Sequence, residues 1–163
     1  MAMRVDQFLS DQHIAFETVV HAPAYTAQRR AHYLHVPGKQ VAKSVLLAGP
    51  TDFVLAVLSA SHQIDLKAVC QALGYPLRLA NQLEIADRFR DCEWGALTPF
   101  GALYGLVTIV DESLDPEAPI TFEAQMHAVT ICMHYKDFER LENPRRFRFG
   151  CHRERKPARP AEK

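Results

Sequence analysis

The sequence lacks the features that mark several large classes of protein. No stretch approaches about 18 consecutive apolar residues, which excludes a membrane-spanning helix. The first residues, MAMRVDQFLSDQ, place acidic side chains where a secretory signal peptide needs an apolar segment, so we expect a cytoplasmic protein. The four cysteines are far apart and form no CxxC pair, which argues against a disulfide framework or a zinc ribbon. GxSxG, HExxH and dinucleotide-binding glycine motifs are missing too.

Composition and charge describe one globular domain with an uneven charge distribution. The chain has 163 residues, of which 48% are hydrophobic and 23% charged, and its formal net charge is zero. Residues 145–163 hold eight basic and two acidic side chains, which leaves 11 basic and 17 acidic ones in residues 1–144. We therefore expect a domain over residues 1–144 and a basic tail over 145–163. The tail suits a solvated terminus or a phosphate contact, and Phe147 and Phe149, which alternate with arginines, are also compatible with a last strand.

Short helices and strands alternate along the predicted domain. The pattern predicts a helix at the start that carries Val5, Phe8 and Leu9 on one side. It then predicts strand 16–20, helix 27–34 with Thr26 as its N-cap, a hairpin with loop 49–52, a helix after Asp65, a helix after the pair Asn81 and Glu84, strand 103–111, strand 127–133 and helix 135–141. Because a hairpin implies antiparallel pairing, we expect a single α/β domain of α+β character, with a mixed sheet surrounded by helices.

Lys43 is the first candidate for chemistry. It stands in the middle of the predicted strand VAKSVLL, between apolar residues, where a charged amine is costly unless an anion approaches it. An anion-binding pocket explains this position, and so does a lysine whose stem packs while its amine reaches water at the sheet edge. The following Ser44 does not make a phosphate loop, because Ala42 stands where that loop needs glycine.

A loop and several histidines are the remaining candidates. The segment GALTPFG, residues 95–101, has two glycines and a proline, so it suits a loop that presents backbone groups to a ligand, but also an ordinary turn before a strand. His127 begins a predicted strand and His21 ends one, and either histidine can face a pocket or make a structural hydrogen bond. His32 and His35 lack a third partner at ligand spacing, so no metal site is expected.

Three blocks in order give the sequence a resemblance to a known family. They are a strand ending in His21 followed by AYTAQRRA and VAKSVLL, then GALTPFG, then HAVTICMHYKDFERL. Together they resemble the YbaK/EbsC family of free-standing aminoacyl-tRNA deacylases, which is related to the editing domain of bacterial prolyl-tRNA synthetases. The resemblance covers about residues 3–142.

The resemblance implies a fold, an activity and a set of residues. It implies a strongly curved, barrel-like mixed sheet, and an enzyme that hydrolyses the ester of a mischarged tRNA, commonly alanyl- or cysteinyl-tRNA(Pro), without a metal or another cofactor. Lys43 matches the functional lysine of the family, which engages the terminal nucleotide, and His127 matches a late histidine of some members. The substrate-binding residues expected around them are His21, Thr26, Ser44, Gly95, Thr98, Pro99, Phe100, Gly101 and His127.

Two departures from the family pattern leave the amino-acid specificity open. Ser44 stands where some alanine-hydrolysing members have asparagine, and Gln125 where members with the late histidine often have glycine. The sequence also leaves open whether the nucleophile is a water or the thiol of a cysteinyl substrate. It leaves open as well whether a synthetase partner is needed. A module that binds an aminoacyl-tRNA end or a nucleotide without hydrolysis is the alternative to an enzyme.

Overall fold

Alternating short helices and strands account for most of residues 4–152, which are the residues that the computed structural model describes. The helices are α1 Val5–Asp11, α2 Ala27–Leu34, α3 Leu66–Leu73, α4 Gln82–Arg88 and α5 Tyr135–Glu142. The strands are β1 Phe16–Val20, β2 Ala42–Ala48, β3 Phe53–Ser59, β4 His62–Ile64, β5 Arg78–Leu79, β6 Val107–Asp111, β7 Pro119–Glu123, β8 Val129–His134, β9 Arg145–Phe147 and β10 Gly150–His152. No helix within residues 4–152 is long and apolar enough to cross a membrane.

Side-chain caps fix the starts of three helices as the sequence predicts. Thr26 Oγ1 accepts a hydrogen bond from the Arg29 N–H at 3.1 Å, and Asp65 accepts one from the Ala68 N–H at 3.2 Å. Asn81 and Glu84 form a reciprocal capping box at α4. These caps satisfy backbone donors that the first turn of a helix leaves unpaired, which is why short polar residues locate the helix starts.

A five-stranded mixed sheet forms the centre of the molecule, with the strand order β5-β2-β3-β6-β9. Strands β2 and β3 form the predicted hairpin around residues 49–52, with Ala42 opposite Ser59 and Ala48 opposite Phe53. Strand β6 pairs with β3 in parallel, and β9 pairs with β6 in parallel. The central sheet is therefore antiparallel on one side and parallel on the other.

Two further sheets complete the fold. Strands β1, β8 and β7 pair antiparallel in the order β1-β8-β7, and β10 pairs with β4. A parallel bridge between Val41 and Thr121 joins the start of β2 to β7. The predicted α+β domain with a mixed sheet is confirmed, although within residues 4–152 the strands form three sheets rather than one closed barrel.

Hydrophobic residues pack on both faces of the central sheet. Since successive side chains of a strand point to opposite faces, Leu46 contributes to one core and Leu47 to the other. The first core lies toward the three-stranded sheet and contains Phe100, Phe122 and Phe138, and the second contains Val69 of α3 and Phe149. Both strands of the hairpin are thus buried on two sides, which fits their nearly continuous apolar sequence.

Two sequence predictions change in the structure, and the last strand that the sequence left open is present. Leu103 and Tyr104 lie in a 3-10 helix, Gly101–Tyr104, so β6 begins at Val107 and not at residue 103 as predicted. His127 lies in the turn between β7 and β8, because β8 begins at Val129 and not at residue 127. Of the segment expected to be a basic tail, residues 145–152 form β9 and β10 and bury Phe149, whereas residues 153–163 lie outside the described residues.

Candidate functional site

A small polar cavity of about 150 Å³ brings several of the predicted residues together. It lies where the beginnings of β2 and α2 meet the end of β7 and the loop that follows α4. Its walls are formed by Tyr25, Thr26, Ala27, Arg30, Ala42, Lys43, Ser44, Gly95, Leu97 and Glu123. A larger depression of about 340 Å³ lies beside His62 and Asp111, but none of the predicted site residues lines it.

The start of β2 supplies Lys43 and Ser44 to the cavity. Both side chains are half-buried, and they stand opposite Leu58 and Val57 of β3. The bridge between Val41 and Thr121 sets this end of β2 against β7, which carries Glu123. Thr26, the N-cap of α2, forms the neighbouring wall. The predicted lysine therefore stands in a concave site whose walls also include the hydroxyl-bearing residues Tyr25, Thr26 and Ser44.

A buried chain of polar contacts braces one wall of the cavity. Arg30 of α2, only 2% exposed, donates to Glu123 Oε1 at 2.6 Å and to the Ala24 carbonyl at 2.9 Å. The same Glu123 oxygen lies 2.8 Å from His127 Nδ1, and His127 Nε2 lies 2.8 Å from the Trp94 carbonyl oxygen. This Arg30–Glu123–His127 brace links α2, β7 and the loop that carries Gly95.

The geometry of the brace determines where the protons of His127 and Glu123 lie. Both ring nitrogens of His127 face oxygen atoms, and the Trp94 carbonyl can only accept a hydrogen bond, so Nε2 donates to it. Nδ1 then donates to an ionised Glu123 or accepts from a protonated one. Burial raises the pKa of Glu123, although Arg30 and His127 lower it in part. In both arrangements the Glu123–His127 pair keeps one shared proton inside the wall.

The other predicted residues are distributed around this cavity rather than in it. His21 Nε2 lies 2.7 Å from Thr130 Oγ1, and its Nδ1 lies 2.7 Å from the Ala22 carbonyl oxygen. Thr98 and Pro99 are buried behind Gly95 and Leu97. Among the described residues, Thr98 Oγ1 has no hydrogen-bond partner. Among the site residues predicted in loop 95–101, Gly95 is thus the one that lines the cavity.

Phe100 and Gly101 belong to the hydrophobic core. The Phe100 ring makes edge contacts with Phe8, Phe122 and Phe138, with ring centroids 5.2–5.7 Å apart. Gly101 is buried so closely against Thr108 that a Cβ atom there would collide with the threonine hydroxyl. These two residues support the loop from behind, and a glycine is needed at position 101 because of this close packing.

Gln125, one of the departures from the family pattern, does not line the cavity either. Its φ of 68° is in the left-handed region that favours glycine. Its side chain turns toward α1, where Oε1 accepts from the Val5 N–H at 3.0 Å and Nε2 donates to the Tyr104 hydroxyl at 2.6 Å. These bonds hold the turn before His127 in place.

Sequence reasoning missed Arg30, Glu123 and Tyr25 as parts of the site. Arg30 is one of two consecutive arginines on a short helix, and the signal that distinguishes it from Arg29 is helical spacing, because it shares a face with Ala27, Ala31 and Leu34. Glu123 ends a five-residue strand that the pattern did not predict, so its position across from α2 was invisible. Tyr25 precedes a recognisable N-cap, which locates it at the start of α2 but not at a cavity.

Comparison with solved structures identifies chains that share this fold. The hypothetical protein APE2540 superposes with a TM-score of 0.83 at 13% sequence identity, over 91% of this chain and 100% of that one. A candidate trans-editing enzyme for prolyl tRNA synthetase superposes with a TM-score of 0.72 at 21% identity, over 91% of this chain and 95% of that one. At these identities the likeness establishes the fold alone.

Comparison with sequences establishes the family. A search of curated proteins finds no match. The model of one family, described as the aminoacyl-tRNA editing domain, matches residues 21–141, and this span contains every residue that lines the cavity. The match covers about three quarters of the sequence and confirms the resemblance that the three sequence blocks indicate. The chain belongs to the aminoacyl-tRNA editing domain family.

Proposed function

We propose that this protein is an aminoacyl-tRNA deacylase, which hydrolyses the ester between a wrong amino acid and the 3′ end of a tRNA. Alanyl- and cysteinyl-tRNA(Pro) are the proposed substrates. Family membership supports the reaction class. The observation that carries the proposal is the small cavity in which Lys43, Ser44, Thr26 and Gly95 converge, because its volume of about 150 Å³ suits a small aminoacyl group.

The reaction needs few catalytic groups from the protein, because an aminoacyl ester is already activated. A nucleophile adds to the ester carbonyl, the carbonyl oxygen gains negative charge, and the bond to the ribose oxygen then breaks. Positive charge and hydrogen-bond donors near that oxygen lower the barrier. Lys43 supplies the charge, and the hydroxyl groups of Ser44 and Thr26 supply donors on adjacent walls.

Arg30 adds a second cation, which is hydrogen-bonded to Glu123. Its Nη2 donates to Glu123 Oε1 and to the Ala24 carbonyl. Its Nε–H has no hydrogen-bond partner among the described residues, and Arg30 lines the cavity. We therefore assign Arg30 the role of a fixed donor toward the aminoacyl group, and Lys43 the role of the charge that the transition state meets.

His127 has a positioning role in this proposal. Both of its ring nitrogens are occupied, by Glu123 and by the Trp94 carbonyl, so neither is available to take a proton from a nucleophile. The ring instead holds the peptide before Gly95 against β7. The nucleophile is a water for alanyl esters, and for cysteinyl esters it is a water or the substrate's own thiol.

A panel of mischarged tRNAs tests the proposal. The purified protein should deacylate alanyl- or cysteinyl-tRNA(Pro) and leave correctly charged prolyl-tRNA(Pro) largely intact. Release of labelled amino acid under single-turnover conditions measures the reaction. Saturable binding of these tRNAs with no release of amino acid from any of them would overturn the enzyme and favour a binding module.

A further inference from the structure

The volume of the cavity limits how much of a charged tRNA it can hold. Pockets that enclose a whole small-molecule ligand start at roughly 300 Å³. The cavity beside Lys43 has about half of that volume, 150 Å³. An aminoacyl group therefore fills it, and the nucleosides of the tRNA 3′ end must lie outside, across its rim.

Two exposed aromatic residues flank this cavity: Tyr25 lines it, and Trp94 lines a neighbouring depression of about 210 Å³ that shares Gly95 with it. The Tyr25 side chain lines the cavity and is 76% exposed, and its ring centroid lies 4.8 Å from that of His127. Trp94, which is 64% exposed, directly precedes Gly95 of the cavity wall and is held through its carbonyl oxygen by His127 Nε2.

The backbone under both rings is fixed while the rings stay open to solvent. The Ala24 N–H donates to the His127 carbonyl at 2.9 Å, and Thr26 caps α2, so Tyr25 stands between two anchored residues. Beside Trp94, the Ala96 N–H donates to the Glu93 carbonyl at 2.9 Å, which closes a tight turn. Because the backbone beneath them is anchored, binding of a flat ligand to these rings costs little backbone conformational entropy.

We propose that Tyr25 and Trp94 form a stacking platform for the unpaired bases at the 3′ end of the tRNA. Proteins that bind single-stranded RNA commonly stack its bases on exposed aromatic rings. Such a platform positions the terminal ribose above the cavity, so that the ester it carries points toward Lys43. The proposal rests on the proposed function, since it names how that substrate is held.

Binding of a short RNA tests the platform without any catalysis. The probe is the oligoribonucleotide ACCA with a fluorescent label at its 5′ end, and its Kd is measured by anisotropy. Because base–aromatic stacking contributes about 1 kcal/mol or more per base, Tyr25→Ala and Trp94→Ala should each raise Kd about fivefold or more. Tyr25→Phe keeps the ring and should stay within about twofold of the wild type. Tyr25→Leu keeps apolar bulk without a flat ring and should behave like Tyr25→Ala.

Tyr75 provides the matched control, since it is an exposed tyrosine (41%) that packs beside Gly49 in the hairpin loop at the far end of β2. Tyr75→Ala should leave Kd unchanged. Stacking also differs from phosphate contact in its salt dependence, so the slope of log Kd against log salt should be the same in the wild type and in both platform variants. Wild-type Kd in Tyr25→Ala and Trp94→Ala, or a loss of affinity that comes with a flatter salt slope, would overturn the platform.

The failure of this inference is separable from a failure of the proposed function. RNA binding that depends on the two rings, together with no deacylation of any mischarged tRNA, would sustain the platform and overturn the enzyme. Deacylation with an unchanged KM in both Tyr25→Ala and Trp94→Ala would sustain the enzyme and overturn the platform. Circular dichroism and thermal melting check that each variant is folded, which we expect because both rings are mostly exposed.

Discussion

The molecule buries two carboxylates in different ways. Glu123, in the cavity wall, is held by the guanidinium of Arg30 and the imidazole ring of His127. Asp111, at the end of β6, accepts three backbone N–H groups, those of Phe149 and Gly150 at 2.7 Å and that of Ser113 at 2.9 Å. The first carboxylate belongs to the wall of the proposed site, and the second fastens β10 to the central sheet.

The two surroundings move the acidities in opposite directions. Burial raises the pKa of Glu123 and outweighs the opposing effects of Arg30 and His127. Burial also acts to raise the pKa of Asp111, but the hydrogen bonds from Ser113, Phe149 and Gly150 together hold it below its ordinary value. Donors fixed in the backbone thus stabilise a permanent charge, whereas ionisable partners leave a proton that can move.

The largest effect is expected on the rate of deacylation when Lys43, in the cavity, is replaced. Lys43→Ala removes the charge that the proposed transition state meets, so the single-turnover rate of deacylation should fall by about 100-fold or more while the protein stays folded. Lys67→Ala, at an exposed lysine of α3, is the matched control and should keep the wild-type rate. Equal rates in the Lys43→Ala variant and the wild type would contradict the assigned role of Lys43.

On the structural side, Asp111→Ala should cost stability instead of rate. It leaves three backbone donors without their acceptor, which should lower the free energy of unfolding by about 3 kcal/mol and Tm by roughly 6–12 °C. Thermal melting measures the effect. Glu112→Ala, at the exposed neighbouring residue, should change Tm little. A wild-type Tm in Asp111→Ala would show that water replaces the carboxylate at no cost.

The two carboxylates should give opposite pH dependences of stability. A raised pKa means that the folded state binds its proton more tightly, so the stabilisation from Glu123 is full below the ordinary value and is lost as pH rises through the raised one. The stabilisation from Asp111 is present above the ordinary value and is lost as pH falls through the lowered one.

Urea unfolding across the acidic and neutral range measures both effects. The advantage of the wild type over Glu123→Gln should shrink as pH rises, and its advantage over Asp111→Asn should grow. Each difference should change by at most about 1.4 kcal/mol per pH unit, because one proton is involved. Parallel curves for the two variants would remove the distinction between the two carboxylates.

A smaller effect is expected from the chain after His152. Residues 153–163 contain five basic and two acidic side chains, so they suit a contact with tRNA phosphates. If two or three such contacts form, removing these residues should lower the slope of log affinity against log salt by about 2 and leave the saturated rate unchanged. A matched variant with the five basic residues replaced by glutamine should behave in the same way. A wild-type slope in either variant would exclude a phosphate contact.

The smallest effect is expected from modification of the cysteines. Burial raises the pKa of the Cys92 thiol to about 12, so it stays protonated and unreactive at neutral pH, whereas Cys151 is exposed. Iodoacetamide should therefore label Cys151 before Cys92, as mass spectrometry can follow, with little loss of deacylation. Inactivation in step with the labelling of one cysteine would indicate a thiol nucleophile on the protein.

Local signals made much of the fold predictable from the sequence. Thr26, Asp65 and Asn81 each locate a helix start, because a cap involves residues only three positions apart. Loop 49–52 locates the hairpin for the same reason. Strands β7 and β10 were not predicted, and a strand at β9 was left as one of several alternatives, since each of these strands has only three to five residues and depends on partners that are distant in the sequence.

A site residue could be predicted from the sequence where its placement is energetically unfavourable by itself. Lys43 is conspicuous because a lysine inside an apolar strand needs an explanation. Glu123 and Arg30 become meaningful only once folding brings them to 2.6 Å across 93 residues of chain. The histidine at position 127 was visible, but its positioning role follows only from the two oxygen atoms that its ring faces.

The most direct test of this account compares Lys43→Ala with Asp111→Ala on the same mischarged tRNA, with the rate normalised to folded protein at a temperature below both transitions. The account predicts a crossed result: Lys43→Ala loses the single-turnover rate and keeps a Tm near that of the wild type, and Asp111→Ala keeps the rate and loses several degrees of Tm. If Lys43→Ala keeps the rate, or if both variants lose rate only in proportion to their Tm, the cavity beside Lys43 is not where the ester is cleaved.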